Sequence, residues 1–238
     1  MSVTIYESIS NARKLKQKLL AVLIDPDKIE LSEVSLLAEK INQSSATHIF
    51  VGGSIVQNFI IDELILILKK ESNLPILIFP GHPSQISQEA NGLLFLSLLS
   101  GRNPDYLIEH HINSIDLLKD SNLEIIPTGY ILIDGGKETA VQRVSQTLPI
   151  ASTAIELAYK TAKAGEYLGK KLIYLEAGSG ALNPVPVEMI KAVASQINIP
   201  LIVGGGIRSR EAIENAYASG ADLVVIGTAF ENDINFFN

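Results

Sequence analysis

Two glycine-rich turns late in the chain have the composition of phosphate-binding turns. The first begins Gly204-Gly205-Gly206 and the second begins Gly227-Thr228, and each directly follows a short apolar run. Each turn leads into a segment that could begin a helix, and helix N-termini attract anions through unpaired N–H groups and the helix dipole. We predict that both turns contact a phosphate. The alternative is that the glycines only form turns and that residues 228–231 form a capping box.

A carboxylate, Glu176, ends the apolar run that precedes these turns. The segment after it reads Ala177, Gly178, Ser179 and Gly180. If a ligand's phosphate is bound at the two turns, Glu176 could accept hydrogen bonds from a polyol or take a proton from a hydroxyl group. Tyr174 lies on the same face of the predicted strand and could position that hydroxyl. The alternative for Glu176 is a charge that stabilises the start of a helix.

Polar residues also follow the first two apolar runs. Asp25 and Asp27 flank a proline after the first run, and their oxygens could hold a hard divalent cation beside a substrate phosphate. The alternative is that they only order a turn. Ser54 follows two glycines after the second run and supplies a hydroxyl oxygen. It could also be the N-cap of a helix that we predict over residues 55–69.

Eight short apolar runs have the length of β-strands. They lie at 19–24, 48–51, 75–79, 93–99, 123–133, 172–175, 200–203 and 222–226. Most are continuous rather than alternating, which is typical of parallel strands covered on both faces. Helical spacing occurs between most of them, at 31–41, 153–168, 187–197 and 211–219. Repeated strand–helix units predict an α/β fold, a (β/α)8 TIM barrel formed by a single domain over residues 1–238, with an open doubly wound sheet as the alternative.

One connection does not fit a regular barrel. Residues 80–91 contain two prolines and a glycine and are too short and too broken for a full helix, so we predict a degenerate or missing third helix. In a barrel the C-terminal ends of the strands surround one opening. Glu176, Asp25, Ser54 and the glycine turns would therefore share one cavity.

Composition excludes several classes of function. The net charge of −7 and the absence of a long basic run argue against nucleic-acid binding. The absence of cysteine excludes disulfides and thiolate chemistry and favours a cytoplasmic protein. No apolar stretch has the roughly 18 residues that a membrane-spanning helix needs, so we expect no integral membrane segment.

Five motifs together carry a family resemblance. They are Asp25-Pro26-Asp27-Lys28, Gly52-Gly53-Ser54, Tyr174-Leu175-Glu176-Ala177-Gly178-Ser179-Gly180, Gly204-Gly205-Gly206-Ile207 and Gly227-Thr228. In this order, and over essentially the whole chain, they resemble the geranylgeranylglyceryl phosphate synthases. Glycine pairs and Asp-Pro are common by themselves, whereas the Tyr174–Gly180 motif followed by the two glycine turns is specific.

The resemblance implies a Mg2+-dependent prenyltransferase. It would join the C3 hydroxyl of sn-glycerol 1-phosphate to geranylgeranyl diphosphate, releasing diphosphate and giving an ether lipid precursor. Asp25 and Ser54 would hold Mg2+, and Glu176 would be catalytic. Glycerol phosphate would be bound by Tyr174, Leu175, Glu176, Ala177, Gly178, Ser179, Gly180, Gly204, Gly205, Gly227 and Thr228. The family also implies a homo-oligomer, a dimer or a hexamer.

The sequence departs from part of the family at Leu23. In one branch a lysine occupies this position, so the chain is more similar to the second branch, and Lys28 or Arg102 could supply the missing charge. The prenyl chain needs an apolar groove, with residues 80–87, residues 93–99 and Tyr130 as predicted walls.

Other interpretations stay open. Residues 110 and 111 are adjacent histidines in a predicted helix over 104–119, and we interpret them as surface or interface residues rather than metal ligands. A longer heptaprenyl donor is one alternative function. A different phosphate-binding TIM-barrel enzyme and a non-catalytic barrel that binds a phosphorylated metabolite are the others.

Overall fold

The computed structural model describes residues 3–54 and 60–227. Within these residues eight parallel strands form a closed barrel in which each strand pairs with the next and the last pairs with the first. The strands are β1 (Leu19–Ile24), β2 (His48–Val51), β3 (Ile76–Ile78), β4 (Gly92–Leu98), β5 (Glu124–Leu132), β6 (Leu172–Glu176), β7 (Leu201–Gly204) and β8 (Leu223–Ile226). The predicted barrel is confirmed, and the alternative of an open sheet is wrong.

Helices surround most of the barrel. They are α1 (Ile5–Lys14), α2 (Val34–Gln43), α3 (Ile61–Glu71), α4 (His110–Leu118), α5 (Ala140–Ser145), α6 (Ile155–Tyr167), α7 (Val187–Gln196) and α8 (Arg210–Ala218). The predicted start of a helix at residue 55 lies outside the described residues. The described helix α3 begins at Ile61 with Ile60 as its N-cap, so Ser54 is not the N-cap of α3.

The predicted irregularity after the third strand is confirmed. Between β3 and β4 the only helical element is one 3-10 turn, Pro83–Gln85. The His82 side chain caps this turn by accepting a hydrogen bond from the Ser84 N–H at 3.2 Å. The outer wall of the barrel is therefore thin on this side, next to the outward face of β4.

Helix α1 covers the opposite, N-terminal end of the barrel. Thr4 and Glu7 form a capping box that starts the helix. Ile9 and Ala12 are buried with the residues that fill the barrel interior. Glu124, at the start of β5, accepts a hydrogen bond from the Tyr6 N–H at 2.8 Å. This carboxylate anchors the N-terminus of α1, because the helix dipole favours negative charge there. Helix α1 therefore covers the end of the barrel at which the strands begin.

Alternate residues of the strands fill two cores. Inward-facing Phe50, Leu77 and Leu94 pack inside the barrel, while their neighbours, such as Ile49 and Ile76, pack against the helices. Burial on both faces explains why the strand sequences are continuously apolar. None of the helices within the described residues combines the length and the apolar character needed to cross a membrane.

Candidate active site

The C-terminal ends of the strands surround a cavity of about 300 Å³. Most of the residues predicted from the sequence line it, namely Asp25, Ser54, Tyr174, Glu176, Gly178, Ser179, Gly180, Gly205 and Gly227. Leu175 and Ala177 are fully buried in the core outside the barrel, so only their backbone atoms could contact a ligand. Thr228 lies outside the described residues. The central expectation, that β1 and β6 to β8 contribute to one cavity, is met by this geometry.

Glu176 is buried at the end of β6, with 6% of its surface exposed. Its Oε1 accepts a hydrogen bond from the Gly178 N–H at 2.7 Å. Burial raises the pKa of Glu176 to about 7, although the nearby Tyr174 hydroxyl and the Gly178 N–H both favour the carboxylate. Among the described residues no cation pairs with Glu176. A buried carboxyl group without a cationic partner, open to a cavity, is suited to proton transfer near neutral pH.

Two glycines of β7 and its turn make room for this carboxylate. A Cβ atom on Gly204 would lie 2.5 Å from the Tyr174 hydroxyl and 2.7 Å from Glu176 Oε2. A Cβ on Gly205 would overlap Glu176 Oε1, and Gly205 also has a φ of +80°, which L side chains rarely adopt. The sequence predicted these glycines as phosphate ligands; the structure adds that they leave the space the Glu176 side chain occupies.

The Tyr174 hydroxyl is buried beside Glu176. It makes no regular hydrogen bond to any described residue. Burial, and then the charge of Glu176, keep the pKa of Tyr174 well above its usual value, so the phenol stays protonated. Because buried polar groups normally have partners, a ligand hydroxyl is a natural partner for Tyr174.

The Gly178–Gly180 turn is built for close contact with an anion. Gly178 and Gly180 have φ values of +96° and +73°, and the residue between them does not have a positive φ. Such alternation directs backbone N–H groups towards one side and forms an anion-binding concavity. At the next turn Ser209 caps α8 by accepting from the Ala212 N–H at 3.1 Å. The turns after two neighbouring strands thus line the same cavity.

Asp25 orders a turn and also faces the cavity. Its Oδ1 accepts from the Asp27 N–H at 3.1 Å, and its Oδ2 lies 3.4 Å from Lys28 Nζ. The Asp27 side chain is exposed and does not line the cavity, so the hypothesis of two carboxylates at one cation is not supported. No group of three or more His, Cys, Asp or Glu side chains that could hold a metal occurs within residues 3–54 and 60–227.

One carboxylate and one hydroxyl nevertheless suit Mg2+. This ion usually binds one or two carboxylates and takes its other ligands from water and substrate phosphates. Asp25 and Ser54 both line the cavity. The Asp25 carboxylate lies against the backbone of Gly53, because Gly53 has no side chain between the two. The donor set fits an ion that is completed by a substrate, not a permanently enclosed metal.

The positive charges around the cavity differ from those considered from the sequence. Lys28 lines the cavity, as expected of one candidate. Arg102 does not; its guanidinium donates to the carbonyl oxygens of its own turn, at 2.6 Å to Gly101. Sequence reasoning missed three cations that line the cavity, Lys137, Arg143 and Arg208. Lys137 and Arg143 follow the glycine pair Gly135-Gly136, which comes after β5. That glycine pair was the sequence signal from which these two cations could have been predicted.

A second, apolar cavity of about 90 Å³ adjoins the first. It passes between the irregular 80–91 segment and α4, and its walls include Phe79, Pro80, Ile86, Leu93, Phe95, Leu96 and Tyr130. The groove walls predicted from the sequence are therefore in place. His110 and His111, which we interpreted as surface or interface residues rather than metal ligands, are half-buried, and both line this groove. His111 packs edge-on against Phe95 with ring centroids 4.4 Å apart.

Aromatic rings lie where the two cavities meet. Phe79 and Tyr130 line both cavities, and their ring centroids are 5.9 Å apart. Tyr174 contacts both, at 5.4 Å from Phe79 and 5.5 Å from Tyr130. A molecule that extended from the groove into the polar cavity would pass these rings on its way to Glu176.

Comparisons with known proteins agree with this geometry. Residues 12–237 match the PcrB family. Two relatives named geranylgeranylglyceryl phosphate synthase are from Flavobacterium johnsoniae, 60% identical over 99% of this chain and 97% of the relative, and from Zunongwangia profunda, 54% identical over 96% of this chain and 97% of the relative.

A solved structure is similar over nearly the whole length. It is the crystal structure of (S)-3-O-geranylgeranylglyceryl phosphate synthase from Thermoplasma acidophilum in complex with its substrate sn-glycerol-1-phosphate. The TM-score is 0.93 at 33% identity, covering 99% of this chain and 95% of that one. The resemblance found in the sequence motifs is confirmed, and the chain belongs to the PcrB family.

Proposed function

We propose that this protein is a geranylgeranylglyceryl phosphate synthase. It would join the C3 hydroxyl of sn-glycerol 1-phosphate to C1 of geranylgeranyl diphosphate and release diphosphate. The observation that carries the proposal is a buried carboxyl group, Glu176, located between backbone-lined turns for a phosphate and a groove for an apolar chain. The relatives that share the fold over nearly their whole length carry the same name.

The acceptor would lie at the β6 to β8 end of the cavity. Its phosphate would be bound by backbone N–H groups of the turns after β6 and β7, other than that of Gly178, which donates to Glu176. Its hydroxyl groups would then reach Glu176 and the Tyr174 hydroxyl beside it. Holding both ends of so small a molecule fixes which of its hydroxyl groups faces the donor.

Glu176 would accept the proton of the C3 hydroxyl. The acceptor oxygen forms a bond to C1 of the donor, the bond from C1 to the diphosphate oxygen breaks, and the proton moves to Glu176. The carboxylate is the reactive form of Glu176. With its pKa raised to about 7, a substantial part is ionised at neutral pH and is basic enough to take a proton.

The donor chain would occupy the groove, with its reactive end at Phe79 and Tyr130. An allylic C1 gains positive charge as its bond to diphosphate breaks, and aromatic ring faces attract cations. Burial and the charge of Glu176 hold the pKa of Tyr130 well above its usual value, so this ring stays neutral. The rings would also exclude water, which would otherwise compete with the acceptor for C1.

The diphosphate would lie on the β1 and β2 side, where Asp25, Ser54 and Lys28 line the cavity. When bound, Mg2+ would neutralise the charge that collects on the leaving diphosphate. Asp25 and Ser54 are the residues that would hold it. Lys28, paired with Asp25 at 3.4 Å, adds a positive charge to the same region.

A transfer assay tests the proposal. Purified protein is incubated with sn-glycerol 1-phosphate and radiolabelled prenyl diphosphates of several lengths, with Mg2+ or EDTA, and the lipid is extracted. We expect a metal-dependent product with the geranylgeranyl donor. Absence of product from every donor would overturn the proposed function. A preference for the heptaprenyl donor would instead identify the longer-chain alternative.

The role of Asp25 has its own test within this assay. Asp25→Asn removes the only carboxylate charge of the proposed Mg2+ site, so we expect the Mg2+ concentration for half-maximal rate to rise by roughly tenfold or more. Asp27→Asn is the matched control, because Asp27 is in the same turn but its side chain does not line the cavity. Equal Mg2+ requirements in the two variants would rule out Asp25 as a ligand.

We extend the proposal to assembly and location. Helix α4 and the π-helical turn Asp105–Glu109 directly before it expose Ile108, Ile112 and Ile115, each more than half exposed, on one side of the helix. A homo-oligomer, dimer or hexamer, would cover such a surface. Light scattering of the purified protein measures the mass, and a monomer at micromolar concentration would contradict this part. A cytoplasmic location is part of the same proposal.

A further inference from the structure

Arg208 connects the turn after β7 to the turn after β6. It precedes Ser209, the N-cap of α8, and its side chain is exposed and lines the polar cavity. Its Nη2 donates to the Ala181 carbonyl oxygen at 2.6 Å and to the Gly180 carbonyl oxygen at 3.4 Å. The guanidinium therefore contacts the end of the turn whose glycines form the anion-binding concavity.

Backbone hydrogen bonds also hold the turn that Arg208 contacts. It is closed by the Ala181 N–H, which donates to the Gly178 carbonyl at 3.1 Å, and the following Leu182 N–H donates to Gly135 at 3.0 Å. Gly178 and Gly180 adopt positive φ values without steric cost, but glycines lose more conformational entropy on folding than other residues, so contacts from outside the turn help to fix its shape. By bonding two successive carbonyls, Arg208 fixes the turn's position relative to Gly205.

Arg208 also brings a permanent positive charge to this part of the cavity. A guanidinium stays protonated at any physiological pH. Lys28 and Arg143 also line the cavity but lie near the carboxylates Asp25 and Glu138, at 3.4 and 3.9 Å, which offset their charges. The partners of Arg208 named above are neutral carbonyls, so its charge is available to an anion bound at the turns.

We propose that Arg208 is a positioning residue for the phosphate of the acceptor: it holds the Gly178–Ala181 turn in its binding shape and places a positive charge beside it. This inference rests on the proposed function for the identity of the acceptor. An arginine is suited to this task because its planar guanidinium carries several donors in a fixed arrangement, whereas a lysine ammonium is a point charge on a flexible stem.

Binding measurements test the inference without turnover. Calorimetric titration of wild type, Arg208→Gln and Arg208→Lys with sn-glycerol 1-phosphate and with inorganic phosphate gives the Kd of each anion. We expect Arg208→Gln to raise both Kd values at least tenfold. The Kd values of Arg208→Lys should lie between those of wild type and Arg208→Gln, because lysine restores the charge but not the paired contacts. In the transfer assay the KM for glycerol phosphate should rise similarly, while the KM for the prenyl diphosphate changes less than twofold.

Arg102→Gln is the matched control. Arg102 makes the same type of contact, from one guanidinium nitrogen to two carbonyl oxygens at 2.6 and 3.3 Å, but in the turn after β4 and outside the polar cavity. We expect it to leave both Kd values unchanged. Melting temperatures of all variants show whether the fold is retained.

Several results would overturn the inference. One is an unchanged Kd for both anions in Arg208→Gln, and another is an equal rise in the KM of both substrates, which indicates general distortion. If Arg208→Gln does not fold, an unchanged Kd in Arg208→Lys has the same meaning. If wild type binds phosphate and Arg208→Gln does not, yet no transfer occurs, the proposed function fails while the role of Arg208 in anion binding stands.

Discussion

The two cavities of this protein are built from different parts of the chain. The polar cavity is lined by glycine turns at the ends of β6 to β8 and by charged side chains at other strand ends, and Glu176 is its buried carboxyl group. The apolar groove is formed by side chains of β4, α4 and the irregular 80–91 segment. A backbone concavity recognises a small anion through fixed N–H groups, whereas an apolar groove recognises a chain by length and volume.

This difference explains how one site can join two unlike molecules. The polar half requires little change in the barrel, because the ends of neighbouring parallel strands already converge there. The apolar half requires that one outer helix be absent, and the 3-10 turn at Pro83–Gln85 takes the place of that helix. The halves meet at Phe79 and Tyr130, beside Glu176.

The largest expected effect is on the polar side. Glu176→Gln keeps the side-chain size and the acceptor for the Gly178 N–H but cannot take a proton. We expect kcat to fall by roughly 10² to 10⁴-fold, the usual contribution of a general base, with both KM values nearly unchanged. Steady-state kinetics with the two substrates measures this. A variant with more than half of the wild-type kcat would show that Glu176 is not the base.

A substitution in the apolar groove should change the preference for donor length and leave the binding of the acceptor unchanged. Ser114 is buried on α4 and lines the groove, and it lies eight residues after Tyr106, which also lines the groove. Filling this position with Ser114→Leu should lower kcat/KM for the geranylgeranyl donor about tenfold relative to the geranyl donor.

Ser114→Ala is the control for the groove variant, because it removes the hydroxyl without adding volume. Competition between the two donors in one reaction gives the ratio directly. The same ratio in Ser114→Leu and wild type would mean that the donor chain does not reach Ser114. A higher KM for glycerol phosphate would mean that the two cavities are not independent.

The smallest effect is on stability. The folded pKa of Glu176 is raised to about 7, above that of the unfolded chain, so Glu176 contributes stability at low pH that is lost as pH rises through 7. Between pH 5.5 and 8 this loss is about 2 kcal/mol. Glu176→Gln has no such loss, so its stability relative to wild type should increase by that amount over the same range.

Denaturant unfolding of both proteins at the two pH values measures this difference. The buried His48, whose pKa is lowered to about 4 by burial, titrates in both proteins and cancels in the comparison. If the stability difference between the variant and wild type does not change with pH, the Glu176 carboxyl group does not have a raised pKa. The assignment of the base would then lose its electrostatic support, even if the kinetic result remained.

Most of the barrel could be predicted from the sequence because strand burial leaves a direct signal. Continuous apolar runs such as Leu19–Ile24 are required wherever both faces of a strand are covered, so the eight strands were found to within one residue at each end. The missing third helix was equally visible, because prolines at 80 and 83 are incompatible with a regular helix there.

The candidate site could be predicted in part. Glu176, Asp25 and the glycine turns follow strands, and strand ends converge in a barrel, so their proximity follows from sequence order. The position of His111 in the groove and of Arg102 outside the cavity did not follow, because side-chain direction depends on how α4 and the β4 turn pack. Lys137 could have been found from the glycine pair Gly135-Gly136 before it, whereas the contact of Arg208 with the Gly180 and Ala181 carbonyls depends on how the turns after β6 and β7 pack.

The sequence by itself determined the order of strands, the position of the gap and the residues at the strand ends, since these depend on local pattern and chain direction. Only the tertiary structure decided that Glu176 is buried with no cation paired to it among the described residues, that Gly205 leaves space for its carboxylate, and that Arg208 bonds the turn of the neighbouring strand. These properties depend on distances between residues that are far apart in the chain. Closure of the barrel determines these distances, and the local sequence does not.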